Sequence, residues 1–199
     1  MNNMKELIDR YPQLNICKND IENALLLMID AYKNGGKILV CGNGGSASDA
    51  DHIVGELMKG FLKERKVTDE RIPQELREKL QGALPAISLC AHNSLITATI
   101  NDNDADMIFA QQVYGYANEN DLLIAISTSG NSQNVVNAVK VAKALGVKVV
   151  ALTGQTGGML KEMADVTICA PSTETYKIQE YHLPIYHYLC AKVEEEFFE

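Results

Sequence analysis

The chain has 199 residues, a formal net charge of −8 and 46% apolar side chains, which is the size and composition of one globular domain with its own core. An acidic chain with no basic stripe is repelled by a phosphate backbone, and no apolar run is long enough to cross a bilayer. The N-terminus lacks the order of a signal peptide and the five cysteines are scattered, so we expect a cytoplasmic protein that binds neither nucleic acid nor membrane.

Short apolar runs alternate with helix-length stretches along the chain. Residues 19–34 have apolar side chains at helical spacing and end at two glycines. Five runs rich in Val, Ile and Leu predict strands buried on both faces: 38–41, 86–90, 122–126, 147–152 and 166–170. Helices are expected at about 46–62, 94–118, 132–145, 158–164 and from 175 onward. This alternation predicts an α/β fold, a three-layer sandwich of about five parallel strands flanked by helices, in one domain over residues 1–199.

One segment breaks this pattern. Residues 63–81 are charged throughout and contain almost no core side chains. We expect a solvated helical hairpin or loop inserted between the first crossover helix and the second strand. The charges of this segment nearly cancel, which argues against a basic binding tail.

Two strands are followed by loops rich in hydroxyls and glycine. The first loop is Gly-Asn-Gly-Gly-Ser at 42–46, and the second is Ser-Thr-Ser-Gly-Asn-Ser at 127–132. Each opens a predicted helix, where free backbone N–H groups and the helix dipole favour an anion. Helix caps and turns use the same residue types, but two such loops at equivalent places in a repeated strand–loop–helix unit favour a phosphorylated ligand.

The type of phosphate ligand can be narrowed further. The chain lacks the Gly-rich motif with lysine that binds ATP or GTP. The first loop fits a dinucleotide fingerprint in part, but no acidic residue ends the second strand to hold a ribose. The preferred ligand is therefore a small molecule with one compact phosphate.

Candidate acid–base residues lie near these loops. His52 and Glu56 are four residues apart and share a helix face. Gln179 and His187 are eight apart in the last helix and share another. The alternative interpretation is structural: His52 and Glu56 would form a surface pair, and His187 would be an imidazole packed in the core. A carboxylate and an imidazole beside a phosphate loop suggest proton transfer on a sugar phosphate, and His-x₃-Glu is also a zinc half-site.

These motifs together resemble the sugar isomerase (SIS) family, most closely its phosphoheptose isomerase branch. The resemblance covers nearly the whole chain in order. It implies conversion of D-sedoheptulose 7-phosphate to D-glycero-D-manno-heptose 7-phosphate, the first step toward the heptoses of bacterial surface polysaccharide. It also implies a homotetramer with active sites shared between subunits.

The resemblance assigns roles residue by residue. Glu56 matches the catalytic base and His187 the catalytic acid/base. The positions matching substrate contacts are Asn43, Gly44, Gly45, Ser46, Asn101, Asp102, Ser127, Thr128, Ser129, Ser132 and Gln179, together with Glu56. The zinc site of some members, one Zn²⁺ per subunit, matches His52, Glu56, Gln179 and His187. The arginine that members often carry near the start of segment 63–81 is not found at 60–63.

Other functions remain open at this point. A bacterial relative of this branch is not an enzyme and associates with the replication initiator, but it does not keep the glutamate and last-helix histidine that this chain has. A sugar-phosphate sensor is a second alternative, and such a protein would be expected to carry a DNA-binding segment as well. Isomerisation of a different ketose phosphate on the same fold is the alternative that the sequence excludes least well.

Overall fold

The computed structural model describes residues 3–198, which form one parallel sheet with helices on both faces. The strands are β1 (Ile38–Gly42), β2 (Ala86–Ser88), β3 (Leu122–Ile126), β4 (Lys148–Thr153) and β5 (Val166–Cys169). Their order across the sheet is β2-β1-β3-β4-β5. The predicted fold class and the five strands are confirmed.

The helices are α1 (Met4–Arg10), α2 (Lys18–Lys33), α3 (Gly45–Met58), α4 (Gln74–Arg77), α5 (Asn93–Asp102), α6 (Ile108–Tyr116), α7 (Gln133–Ala144), α8 (Leu160–Met163) and α9 (Thr175–Phe197). Short 3-10 turns occupy Pro12–Cys17 and Ala105–Met107. No helix between residues 3 and 198 is both long enough and apolar enough to cross a membrane.

The central strands β1, β3 and β4 are buried on both faces, apart from Lys148 at the start of β4, which explains their continuous apolar sequences. Along β1, Ile38 and Val40 pack with α1, α2, α3 and α9 in one core. Leu39 and Cys41 point the other way and pack with α6, α7 and α8 in a second core. Successive side chains of a strand alternate between the faces of a sheet, so β1, β3 and β4 each supply both cores. This is the three-layer arrangement.

The predicted helix over 94–118 is divided in two. α5 ends at Asp102, and a 3-10 turn precedes α6. The Asp104 side chain accepts a hydrogen bond from the backbone N–H of Asp106 at 2.8 Å. Asp104 therefore caps the start of the 3-10 turn. A short acidic side chain can accept hydrogen bonds from backbone N–H groups that a continuous helix would use, which favours an interruption here.

The charged segment 63–81 is not wholly solvated, which corrects the expectation of a solvated hairpin. It contains the single turn α4 and one antiparallel bridge between Lys66 and Gln81. Arg65 is only 1% exposed and pairs with Glu194 of α9. A buried arginine was missed because its burial depends on a partner 129 residues away.

Candidate active site

The loops predicted to hold phosphate lie side by side at one edge of the sheet. β1 and β3 are neighbours, and Gly42 at the end of β1 pairs with Ile126 at the end of β3. The strand that follows β1 in the chain, β2, lies on one side of this pair, and the strand that follows β3, β4, lies on the other side. The strand order therefore reverses direction between β1 and β3. Parallel sheets bind ligands in the crevice beyond the carboxyl ends of strands at such a switch point.

The first loop turns sharply into α3. Gly44 has φ of +55°, a conformation that glycine adopts freely. Ser46 is 3% exposed in the first turn of α3, and its backbone N–H donates to the carbonyl of Asn43 at 2.9 Å. A Cβ on Gly45 would lie 2.5 Å from the amide nitrogen of Gln179. The glycine therefore lets the start of α9 approach this loop.

The second loop is held in shape by its own hydroxyls. Ser127 Oγ lies 3.0 Å from Ser132 Oγ, and Ser129 Oγ accepts from the backbone N–H of Asn131 at 3.1 Å. Gly130 has φ of +68°, and a Cβ there would lie 1.9 Å from the carbonyl oxygen of Gly157. Thr128 Oγ1 makes no hydrogen bond within residues 3–198 and is available to a ligand.

An amide pair joins the two loops. Asn43 Nδ2 donates to Asn134 Oδ1, and Asn134 Nδ2 donates back to Asn43 Oδ1, both at 2.9 Å. Asn134 lies in the first turn of α7 and was not predicted as a site residue. Its only sequence signal is its place just after the second loop. The pair fixes the starts of α3 and α7 relative to each other, so two helix N-termini face one crevice, which suits an anion.

The predicted acid–base residues also come together. His52 Nε2 lies 3.1 Å from Glu56 Oε1 on α3 and 3.5 Å from His187 Nε2 on α9. The Glu56 side chain is 14% exposed and that of His52 is 41% exposed. Burial, followed by the nearby His52, lowers the pKa of His187 below its ordinary value. We call His52, Glu56 and His187 the acid–base group.

Two further residues support this group from behind. The Tyr186 hydroxyl lies 3.0 Å from His52 Nδ1 and donates to Asp49 Oδ1 at 3.3 Å. Burial raises the pKa of Asp49, and Asp49 Oδ2 is buried without a hydrogen-bond partner in the part of the chain described. Asp49 lies one helical turn before His52, and Tyr186 directly precedes His187. This spacing in the sequence could have identified both as residues near the acid–base group.

Some predicted residues are not bonded to these loops or to the acid–base group in the described chain. Asn101 and Asp102 are exposed at the end of α5, where Asn101 Nδ2 donates to Asp102 Oδ1 at 2.7 Å. Neither makes a hydrogen bond with either phosphate loop in the described chain. His182 of α9 is fully buried, and its Nε2 lies 3.1 Å from the carbonyl oxygen of Thr153.

The chain is similar to several known proteins. A family model described as "SIS domain" matches residues 2–154. A phosphoheptose isomerase from Nitratiruptor sp. is 44% identical over 177 residues, covering 89% of this chain and 86% of that protein. Solved phosphoheptose isomerases from Neisseria gonorrhoeae (GmhA) and Francisella tularensis superpose with TM-scores of 0.79 and 0.78, at 34% and 35% identity. Each superposition covers 96% of this chain and 94% of the other.

These similarities extend over nearly the whole chain and agree with the motifs and the sheet order. The resemblance inferred from the loops and from the last helix is confirmed. The chain therefore belongs to the SIS domain family, within its phosphoheptose isomerase branch.

Proposed function

We propose that the chain isomerises D-sedoheptulose 7-phosphate to D-glycero-D-manno-heptose 7-phosphate through an enediol. The observation that carries this proposal is that two phosphate loops meet at the start of α3 while one acid–base group lies further along the same helix. The relatives named phosphoheptose isomerase support the choice of substrate. The alternative of a binding protein is disfavoured because Glu56 and His187, the carboxylate and imidazole that proton transfer requires, each have a side-chain atom within 3.5 Å of His52 Nε2.

The spacing of the two parts of the site suits a long sugar phosphate. Ser46 and His52 are six residues apart on α3, which is about 9 Å along the helix axis. A heptose 7-phosphate has its phosphate at one end and its reacting carbons at the other. The phosphate would lie against the hydroxyls of Thr128, Ser129 and Ser46, with C1 and C2 toward the acid–base group.

Each residue then has a distinct task. Glu56 removes the proton from C1 and returns one to C2, while His187 moves a proton between the oxygens on C1 and C2. No atoms are gained or lost overall, so the reaction needs no oxidant or reductant. General acid–base groups of this kind typically contribute about 10²- to 10⁴-fold to a rate. Gln179, held against Gly45, is proposed to contact the sugar between these ends.

Zinc is proposed at the acid–base group, bound by His52, Glu56, Gln179 and His187. In a tetrahedral site with bonds of about 2.0–2.1 Å, neighbouring donors lie about 3.3 Å apart, near the 3.1 and 3.5 Å distances from His52 Nε2. Between residues 3 and 198 no three His, Cys, Asp or Glu side chains are already arranged to hold a metal, so binding requires the side chains to adjust.

The donor chemistry also suits a cation. When the Tyr186 hydroxyl donates to Asp49, its oxygen accepts from Nδ1–H of His52, which leaves a lone pair on Nε2. That lone pair faces an oxygen of Glu56, and two acceptors at this distance need a proton or a metal ion between them. Bound zinc would polarise the substrate oxygens as a Lewis acid. Because a zinc-bound carboxylate is a weaker base, Glu56 cannot bind the metal and abstract the proton in the same step.

We also propose a cytoplasmic homotetramer with shared active sites, acting in the supply of heptose for surface polysaccharide. Two observations support the shared site. Asn101 and Asp102 are exposed and make no hydrogen bond to the phosphate loops within the described chain, and the neighbouring Ile100 is 50% exposed. Tyr114 on α6 is 70% exposed. Apolar side chains beside unused polar ones are typical of a surface that meets another subunit.

Proton NMR of the reaction in D₂O tests the proposed function. Purified protein supplied with zinc and sedoheptulose 7-phosphate should give aldose signals, with solvent deuterium at C2 as the mark of the enediol route. Zinc content per chain is measured in parallel, on this protein and on His52→Ala. A folded, zinc-supplied protein that yields no aldose would contradict this substrate, and other ketose phosphates would be tried next.

A further inference from the structure

A buried ion pair lies directly behind the acid–base group. Arg65 Nε donates to Glu194 Oε1 at 2.8 Å, and both side chains are at most 1% exposed. Burial alone would raise the pKa of Glu194, but backbone N–H donors and the Arg65 guanidinium hold it below its ordinary value. The carboxylate is therefore charged at neutral pH, and the pair is ionic.

The arginine is fixed to the end of the helix that carries the proposed base. Arg65 Nη2 donates to the backbone carbonyl of Glu56 at 3.1 Å, and Nη1 donates to that of Leu57 at 2.6 Å. These are carbonyls of the last turn of α3, which have no partner within the helix and attract a cation. Arg65 is therefore bonded directly to the backbone of Glu56.

The glutamate is fixed to the surroundings of the proposed acid. Glu194 lies seven residues after His187 on α9, two turns along the same face. Its carboxylate accepts from the backbone N–H groups of Phe61, Leu62 and Lys63 at 2.8, 2.7 and 3.1 Å. These bonds hold the Phe61 ring with its centroid 5.5 Å from that of His187.

We propose that Arg65 and Glu194 are positioning residues that set Glu56 and His187 relative to each other. The proposal rests on the proposed function, since it assigns the geometry of that reaction to a second pair of residues. A buried ion pair is weak evidence for stability alone, because desolvation cancels much of its attraction. The contacts of this pair instead reach the backbone of Glu56 and the Phe61 ring that packs against His187. Displacements of about 1 Å at such groups can cost about 10²-fold in rate.

The test compares Glu194→Gln with Glu196→Gln. Glu196 lies on the same helix, and its carboxylate pairs with Lys33 at 2.5 Å on the exposed surface. Glu194→Gln should lower kcat about tenfold or more while KM and the number of substrate sites per chain, measured by calorimetry, stay near the wild-type values. A loss of folded protein alone would instead reduce the number of sites and leave kcat per site unchanged. Glu196→Gln should behave as wild type.

Phe61→Leu provides a second test that leaves both charges in place. It should also lower kcat per binding site, because His187 loses the ring that packs against it, and it decides the matter if Glu194→Gln does not fold. Wild-type kcat per site in the folded variants would overturn the proposed positioning role while leaving the isomerase intact. A wild-type protein that binds the sugar phosphate without turnover would instead overturn the proposed function.

Discussion

Tyr186 Oη lies 3.0 Å from Nδ1 of His52, so one hydroxyl of α9 determines which ring nitrogen of a histidine on α3 faces Glu56. The same hydroxyl donates to Asp49, which leaves its oxygen to accept from the imidazole. A ligand histidine is commonly oriented by an outer hydrogen bond of this kind. The contact links the two helices whose side chains form the acid–base group.

Tyr186→Phe removes this hydrogen bond and keeps the ring. We expect zinc affinity, or activity at limiting zinc, to fall about 10- to 100-fold, the usual cost of losing an outer hydrogen bond to a metal ligand. Metal titration measured by calorimetry tests this directly. Tyr188→Phe is the matched control, since it removes a hydroxyl two residues further along the same helix. Equal zinc affinity in the two variants would contradict the role given to Tyr186.

Glu56→Gln tests the proposed base. The amide keeps the size and shape of the side chain but cannot accept a carbon-bound proton, so turnover should be lost while substrate binding is largely kept. Substrate affinity by calorimetry and deuterium incorporation by NMR are the measurements. Glu22→Gln, at an exposed carboxylate beside Lys18, serves as the control. Retention of more than about a tenth of the wild-type rate would contradict a base at Glu56.

Ser129→Ala tests the second phosphate loop. A hydrogen bond to a charged group is worth about 1.5–3 kcal/mol, so affinity for the sugar phosphate should fall about tenfold or more, with little effect on stability. Ser172→Ala is a close match, because Ser172 Oγ also accepts from a backbone N–H two residues further on, at 3.1 Å. If both variants bind the sugar phosphate as wild type does, phosphate is not held at Ser129.

The sequence was sufficient for the parts of the site that are local. Each phosphate loop directly follows an apolar run, so strand, turn and helix could be inferred from neighbouring residues. His52 and Glu56 follow from helical spacing in the same way. Asn134 could not be found like this, because its bonds to Asn43 span 91 residues and exist only because β1 and β3 are neighbours.

Long-range contacts also explain why segment 63–81 did not follow the expectation drawn from its sequence. Segment 63–81 reads as solvated because it is charged, and the burial of Arg65 depends on a carboxylate of the last helix. The site roles that the resemblance gives Asn101 and Asp102 stay a prediction, since within the described chain their side chains hydrogen-bond to each other and not to the loops. Spacing along a chain carries no information about contacts made by a second chain.

Gly130→Ala tests the backbone of the second loop. The residue has φ of +68°, and a Cβ would lie 1.9 Å from the carbonyl oxygen of Gly157, so the loop must shift. We expect a loss of about 1–3 kcal/mol in the free energy of unfolding and weaker phosphate binding. Gly115→Ala is the control, since it lies in α6 with nothing within 4 Å of the new Cβ. Helix propensity predicts a gain there of about 0.5–1 kcal/mol. Equal unfolding midpoints in urea for the two variants would contradict the strained turn.

His182 should make stability depend on pH. Its Nε2–H donates to the carbonyl of Thr153, Nδ1 is buried without a partner in the described residues, and burial lowers its pKa from 6.5 to about 4. Between these values the unfolded chain binds a proton that the folded chain does not. Stability is therefore full above pH 6.5 and is lost as the pH falls toward 4, by about 3 kcal/mol in total.

His182→Gln isolates this contribution, because glutamine has no titration in the window. We expect the variant to be less stable than wild type at pH 7, since it disturbs a buried contact, but its free energy of unfolding should change less between pH 6.5 and 4.5. Urea unfolding across that range, monitored by circular dichroism, measures both slopes. The difference between the slopes belongs to His182, because every other titrating group is common to the two proteins. Parallel curves would mean that His182 is already protonated in the folded state, and that the carbonyl of Thr153 compensates for its burial.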